Sequence, residues 1–299
     1  FRLIVDIASG KSSELFENII KILVIILVSS IISSFLNKNN SLDEILNYVT
    51  IVIVLSCIME PVGSLLTDAA TAIRSSVIFI NSYLPVFTGI MIASKNPGLA
   101  FTYNSFTLFL SSIISFISDK IFVPIISAMF SLCLITSFSK ENIRVKIINI
   151  LRKFIIVILS LFSTVYTGLL TTQSILVSSS DSLVLKGVRF ISGTFIPFVG
   201  SGVGDALTSV FSSFLIMKNS VGIFIIIVIV LINLPIIIEL LIYYFLFSIC
   251  SLVASVLGSD NISNVFDSIV STLSMLNIIL FFITFVLVIS TGIIIVMGK

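Results

Sequence analysis

The sequence contains no histidine and no tryptophan, only three cysteines, and few charges. Without His there is no His general base, no His metal ligand and no Ser-His-Asp chemistry. Cys57, Cys133 and Cys250 lie far apart, each inside an apolar run, and no CxxC pair exists for zinc or redox work. Three cysteines cannot all pair, and each reads as a buried apolar thiol. Without Trp, an interfacial aromatic belt has to be built from Tyr and Phe. Charged residues are 10% of the chain, against about 25% in an ordinary soluble domain. The 16 Lys and Arg barely exceed the 14 Asp and Glu, so no nucleic-acid partner follows from charge.

What the chain does have is apolar residues. They make up 58% of 299 positions, and the mean hydropathy is +1.28. A water-soluble globule of this composition could not solvate its own surface. A helix crosses a bilayer with about 20 apolar residues, so roughly 300 residues hold up to about nine crossings with short loops. Apolar runs fall at 19–36, 45–66, 77–94, 99–118, 121–138, 154–176, 194–217 and 276–297, with a longer one at 221–257. The expected fold is an all-α, polytopic membrane bundle, with about seven to nine transmembrane or re-entrant helices. It forms one integral membrane domain over 1–299. Whether 77–94, 194–217 and 221–257 span or re-enter stays open. The last of these reads as one long tilted or kinked helix that continues into an interfacial piece. Residues 1–18 carry Asp6, Lys11, Glu14 and Glu17 among apolar side chains and read as an interfacial amphipathic start. Turns are expected at 67–76, at Lys95-Asn96-Pro97-Gly98 and at Asp119-Lys120.

The charges orient the chain. Residues 140–153 hold five basic residues and one acid, and short basic loops stay in the cytoplasm. Counting outward, Lys95, Lys218 and Lys299 fall inside, while the N-terminus and the acidic stretch 258–275 fall outside. The chain begins with Phe1 rather than Met. A removed signal peptide, or a start segment left out, is the expectation, and an outside N-terminus agrees with it.

Two stretches resemble each other, either by chance, since Phe, Ile, Pro and Gly match easily in apolar sequence, or as an internal repeat with halves 45–138 and 154–297. Tyr83-Leu84-Pro85-Val86-Phe87-Thr88-Gly89 matches Phe195-Ile196-Pro197-Phe198-Val199-Gly200. Each follows an amphipathic segment with an acid and a base, Asp68 with Arg74 and Asp181 with Arg189. A further proline follows each, Pro124 and Pro235. Such repeats build transporter sites from interrupted helices at the repeat interface. Breaks are therefore expected at Pro85–Gly89 and over Phe195–Gly204.

Intramembrane acids are the remaining candidates for chemistry, because a charge at mid-membrane costs at least ~2.5 kcal/mol on insertion scales. Glu239, four residues after Pro235, either lines a pathway, carries a proton or pairs with a base such as Arg189, or else it is neutral and hydrogen-bonded. Glu60 precedes Pro61 and reads as interfacial. Asp205 follows Gly200, Gly202 and Gly204, where a helix N-cap explains it. The GxGxG run of those glycines lacks the dinucleotide spacing and a βαβ setting, so it reads as close packing or a broken helix. Lys140, Arg144, Lys146, Arg152 and Lys153 form either a partner or lipid contact or a plain positive-inside loop. No catalytic residue, metal ligand or cofactor site is expected.

One region is more specific than composition. Arg189-Phe190-Ile191-Ser192-Gly193-Thr194-Phe195-Ile196-Pro197-Phe198-Val199-Gly200, then Asp205-Ala206, then Lys218-Asn219-Ser220-Val221-Gly222, resembles the stage III sporulation protein AE family. The order of apolar runs along the whole chain is similar as well. The resemblance implies a non-enzymatic, polytopic, permease-like component of the channel complex that joins mother cell and forespore. It implies as partners the other stage III A proteins, including a secretion-type ATPase, and the stage II protein Q complex. It also implies the mother-cell membrane around the forespore as the location. A self-sufficient secondary transporter using Glu239 is the alternative reading.

Overall fold

The computed structural model of the protein describes residues 2–35, 40–93, 97–136, 147–166, 168 and 200–297. Among these residues the regular structure is entirely helical. The helices are α1 (Arg2–Phe35), α2 (Asn40–Ala93), α3 (Pro97–Ile117), α4 (Val123–Thr136), α5 (Ile147–Tyr166), α6 (Gly200–Val256) and α7 (Asp260–Met297). One π-helical turn, Ser118–Phe122, carries α3 directly into α4. Six segments among the described residues are long and apolar enough to cross a membrane: Glu17–Phe35, Ile45–Ala93, Asn104–Cys133, Ile147–Tyr166, Asn219–Val256 and Asp260–Gly292.

Several of the expected runs are therefore joined. Runs 45–66 and 77–94 are one helix, and the turn expected at 67–76 is absent. The reason lies in the phase of burial. Ile51, Val54, Ile58, Val62, Leu65, Ala69, Ala72, Ser76, Ile80, Leu84, Phe87 and Met91 are all buried. They recur three or four residues apart, the period of an α-helix, without a slip at Pro61, at 67–76 or at Pro85. The polar residues of 67–76 fall mostly on the other side, where Thr67, Thr71 and Arg74 are exposed. Alanines at 69, 70 and 72 add helix propensity.

Runs 99–118 and 121–138 are joined in the same way, and Asp119-Lys120 sits in the π turn rather than in a loop. Leu110, Ile114, Ser118, Phe122, Ile126 and Phe130 are all buried, and they repeat every four residues. A strict α-helix of 3.6 residues per turn drifts out of phase with that repeat. One wider turn, bonded i to i+5, brings the buried face back into register.

The acidic stretch 258–275 is helical from Asp260 onward, not a loop. Ile262, Val265, Phe266, Ile269, Leu273 and Leu276 give it a buried stripe. Runs 194–217 and 221–257 are likewise continuous over Gly200–Val256, so Lys218 closes nothing. The expectation of a single helix over the 221–257 stretch holds as far as Val256. At 1.5 Å per residue, α2 is about 80 Å long and α6 about 85 Å, well beyond the ~30 Å hydrocarbon core of a bilayer.

The chain divides into two compact units. Unit 1 comprises Phe1–Ala72, Ser118–Val157 and Asn233–Phe281, and unit 2 comprises Ile73–Ile117, Ile158–Ile232 and Phe282–Lys299. These do not follow the halves 45–138 and 154–297, each of which contributes to both. In each unit the apolar residues point outward as well as inward. Ile20, Val24, Leu27, Ile31 and Phe35 of α1 are exposed in unit 1, as are Phe224, Ile227 and Leu231 of α6 in unit 2. Exposed apolar surface on this scale is what lipid covers, not water.

Candidate functional site

In unit 1 the clearest local order is the corner between α6 and α7. Gly258 has φ of 76°, in the left-handed region that favours glycine. The Ser259 amide donates to the Ala254 carbonyl at 2.9 Å, and the Gly258 amide donates to Ser255 at 3.0 Å. That pair of bonds is the Schellman arrangement, which satisfies carbonyls left open at a helix end. The Ser259 carbonyl then accepts from Ile262 at 3.0 Å and from Ser263 at 3.1 Å, opening α7 with three residues between the helices. A further open carbonyl, that of Leu257, accepts the Ser30 hydroxyl of α1 at 3.1 Å.

One turn from the corner, Ser251 donates its hydroxyl to the Asp267 carboxylate. A hydroxyl has one proton, so Ser263 must be the donor in its 3.0 Å contact with Ser251. The same reasoning orients one other pin of unit 1. Thr50 already donates to the Leu46 carbonyl, so Ser29 donates to Thr50 at 2.8 Å and ties α1 to α2. The Cys133 thiol lies 3.7 Å from the Thr272 hydroxyl, a contact that ties α4 to α7, while Thr272 also donates to the Ser268 carbonyl at 3.0 Å. Polar bonds of this kind between membrane helices contribute about 0.6–2 kcal/mol each. Between the pins, the rings of Phe247 and Phe266 pack at 5.9 Å, both fully buried.

The Gly258 corner makes a direct prediction. A Cβ there meets nothing within 4 Å, so only backbone strain opposes a side chain. Gly258→Ala is expected to lower stability by about 1–2 kcal/mol, and Gly258→Asn by less, because Asn tolerates this conformation. Thermal melts of the purified variants in detergent check the order.

Unit 2 is pinned by an aromatic cluster and one buried phenol. Tyr166 of α5 donates its hydroxyl to the Val286 carbonyl of α7 at 3.1 Å. Its ring lies 6.2 Å from Phe106 and stacks on Phe162 at 6.5 Å, and Phe162 meets Phe282 edge-on at 5.8 Å.

The residues singled out in the sequence are distributed as follows. Pro85 and Gly89 lie inside α2, both exposed, and no break occurs there. The burial stripe through Leu84, Phe87 and Met91 holds the helix while Pro85 faces outward. Gly200, Gly202 and Gly204 are helical, so the expected break does not extend over them. Asp205 lies beyond the first turn of α6 and is not its N-cap. Pro197, Lys140, Arg144 and Lys146 lie outside the described residues. Arg152 and Lys153 are exposed on α5. Pro235 and Glu239 are half-buried inside α6, and Asn233 is buried beside them in sequence. Glu239 is not without a partner. Among the described residues, no group of three or more Cys, Asp or Glu side chains is placed to hold a metal ion.

Sequence reasoning missed the Ser251–Ser263–Asp267 cluster and the Ser30 tie. A Leu-Gly-Ser-Asp run after a long apolar helix is a recognisable helix stop and restart, and that signal was available at 257–260. The partners of the hydroxyls were not, since they depend on which helices meet.

The model for stage III sporulation protein AE matches residues 1–298. The chain belongs to that family. It is 25% identical over 230 residues to the stage III sporulation protein AE of Bacillus subtilis (strain 168). The match covers 75% of this chain and 58% of that relative's length. No solved structure matches the chain. The expected family, the all-helical fold and the membrane character agree with these findings, and the protein is a helical membrane protein of a sporulation family.

Proposed function

We propose that this protein is a non-enzymatic, membrane-embedded component of the complex that joins mother cell and forespore during endospore formation. Its role there is structural or conduit-forming, in the manner of a permease. The observation that carries the reading is the family match over residues 1–298. The six segments apolar enough to cross a membrane support it. The partners on this reading are the other stage III A proteins, including the secretion-type ATPase, and the stage II protein Q complex. The location is the mother-cell membrane that surrounds the forespore. Tagged full-length protein, gently solubilised from sporulating cells, is expected to bring the ATPase and the stage II protein Q complex with it. Recovery of the protein alone under conditions that keep those partners joined to each other overturns the reading.

Glu239 separates a structural role from a titrating one. On the structural reading, Glu239→Gln keeps size and hydrogen bonding and leaves spore yield unchanged. Glu239→Leu leaves a polar partner unsatisfied at about 1–3 kcal/mol and lowers both membrane abundance and spore yield. Normal abundance without spores in the Gln variant would point instead to a proton-carrying acid.

A further inference from the structure

We propose that the buried face of α3 in unit 2, at Thr107 and Ser111, is a hydrated site that holds ordered water among the apolar helices. Thr107 is 3% exposed and Ser111 1%. Neither hydroxyl has a hydrogen-bond partner among the described residues. A serine or threonine in a helix has an easy remedy for this, the carbonyl one turn back. Thr88 takes it with Leu84, Ser112 with Leu108, Thr164 with Ser160 and Thr291 with Leu287, at 2.8–3.0 Å. Ser111 and Ser112 are neighbours, yet only the exposed Ser112 turns back onto its helix. Thr107 and Ser111 decline the same bond although burial makes an unmet hydroxyl expensive, about 1–3 kcal/mol.

The choice of water follows from chemistry. Residues four apart on a helix share one face with Cβ atoms about 5–6 Å apart, a span that water bridges. A buried water needs two to four polar partners, and these two hydroxyls supply a donor and acceptor set without charge. No charged residue lies between Tyr103 and Ser115, so nothing on α3 compensates a bare ion. The opposite side of the same helix carries the exposed Phe109 and Phe116, the kind of surface that lipid covers. The helix thus has one wet face and one greasy face. Phe106, next to Thr107, touches the Tyr166 ring, and Tyr166 spends its proton on Val286, so the phenol does not donate to the two hydroxyls.

The inference does not rest on the channel reading, and its test reads water rather than sporulation. Radiolytic hydroxyl-radical labelling of the purified full-length chain, read by mass spectrometry, reports side chains next to bound water. Phe106 is expected to oxidise several-fold faster than Phe87, a fully buried phenylalanine of α2 in the same unit. In the Thr107→Val/Ser111→Ala double variant, Phe106 is expected to fall to the rate of Phe87. A wild-type rate no faster than that of Phe87 overturns the proposal, as does a fast rate that survives the double substitution. If the double variant does not accumulate, Ser111→Ala alone is read the same way, and the wild-type comparison stands by itself.

Discussion

Replacing Phe266 with alanine is expected to destabilise the protein by about 3–5 kcal/mol, enough to lose most of it from the membrane. Phe266 is 0% exposed and packs its ring against Phe247. Truncation leaves a cavity that a close-packed helix pair cannot collapse. The contrast that gives the measurement its force is Phe245→Ala on α6. That ring is 63% exposed, so lipid chains fill the space it leaves, and a shift of a few tenths of a kcal/mol is expected. Melting temperature and membrane abundance of the two variants are the readouts. Equal losses would mean that the assignment of inner and outer faces is wrong.

Thr71→Pro is the second large effect, expected at about 3 kcal/mol or more. Thr71 is exposed in the middle of α2, so the side chain itself matters little. Proline there removes the amide bond to the Thr67 carbonyl and presses its ring on that carbonyl. Thr71→Ala, which leaves the backbone bonds intact, is the control and should be near neutral. The pair tests the continuity of α2 directly. A turn over 67–76 accommodates proline, and wild-type abundance for Thr71→Pro would restore two separate runs. The helix already contains Pro61 and Pro85, but it holds them at their own positions by packing the stripe from Ile58 to Met91. Nothing equivalent has adjusted around position 71.

The boundaries that sequence reasoning misplaced share one cause. Apolar run length divides the chain too finely, because charges and prolines look like ends. Glu60-Pro61, Asp68, Arg74, Asp119-Lys120 and Lys218 all sit inside continuous helices or the π turn between two of them. Run length measures average greasiness, whereas a helix persists as long as its buried face keeps phase. In α2 that phase was readable from Ile51 to Met91, and in the α3–α4 segment the four-residue repeat from Leu110 to Phe130 even announced a widened turn. The Asp205 cap failed for a related reason: the helix starts five residues earlier, at Gly200.

Composition together with the length of the apolar runs pointed to helices in a membrane. With 58% apolar residues and 10% charged ones, the side chains call for lipid, which offers no hydrogen bonds; a helix or a closed barrel meets its own, and uninterrupted apolar runs such as 223–232 lack the alternation of a barrel strand. The segment from Arg189 to Gly222 was enough to point to the family. The tertiary structure decided what run lengths cannot. It joined the runs, set Phe266 inward and Phe245 outward in helices of similar composition, aimed the Ser251 hydroxyl at Asp267, and left Thr107 and Ser111 unbonded to the carbonyls one turn back. Those outcomes depend on which helix lies against which, and a greasy sequence carries little of that information, because leucine and isoleucine suit lipid and protein interior equally well.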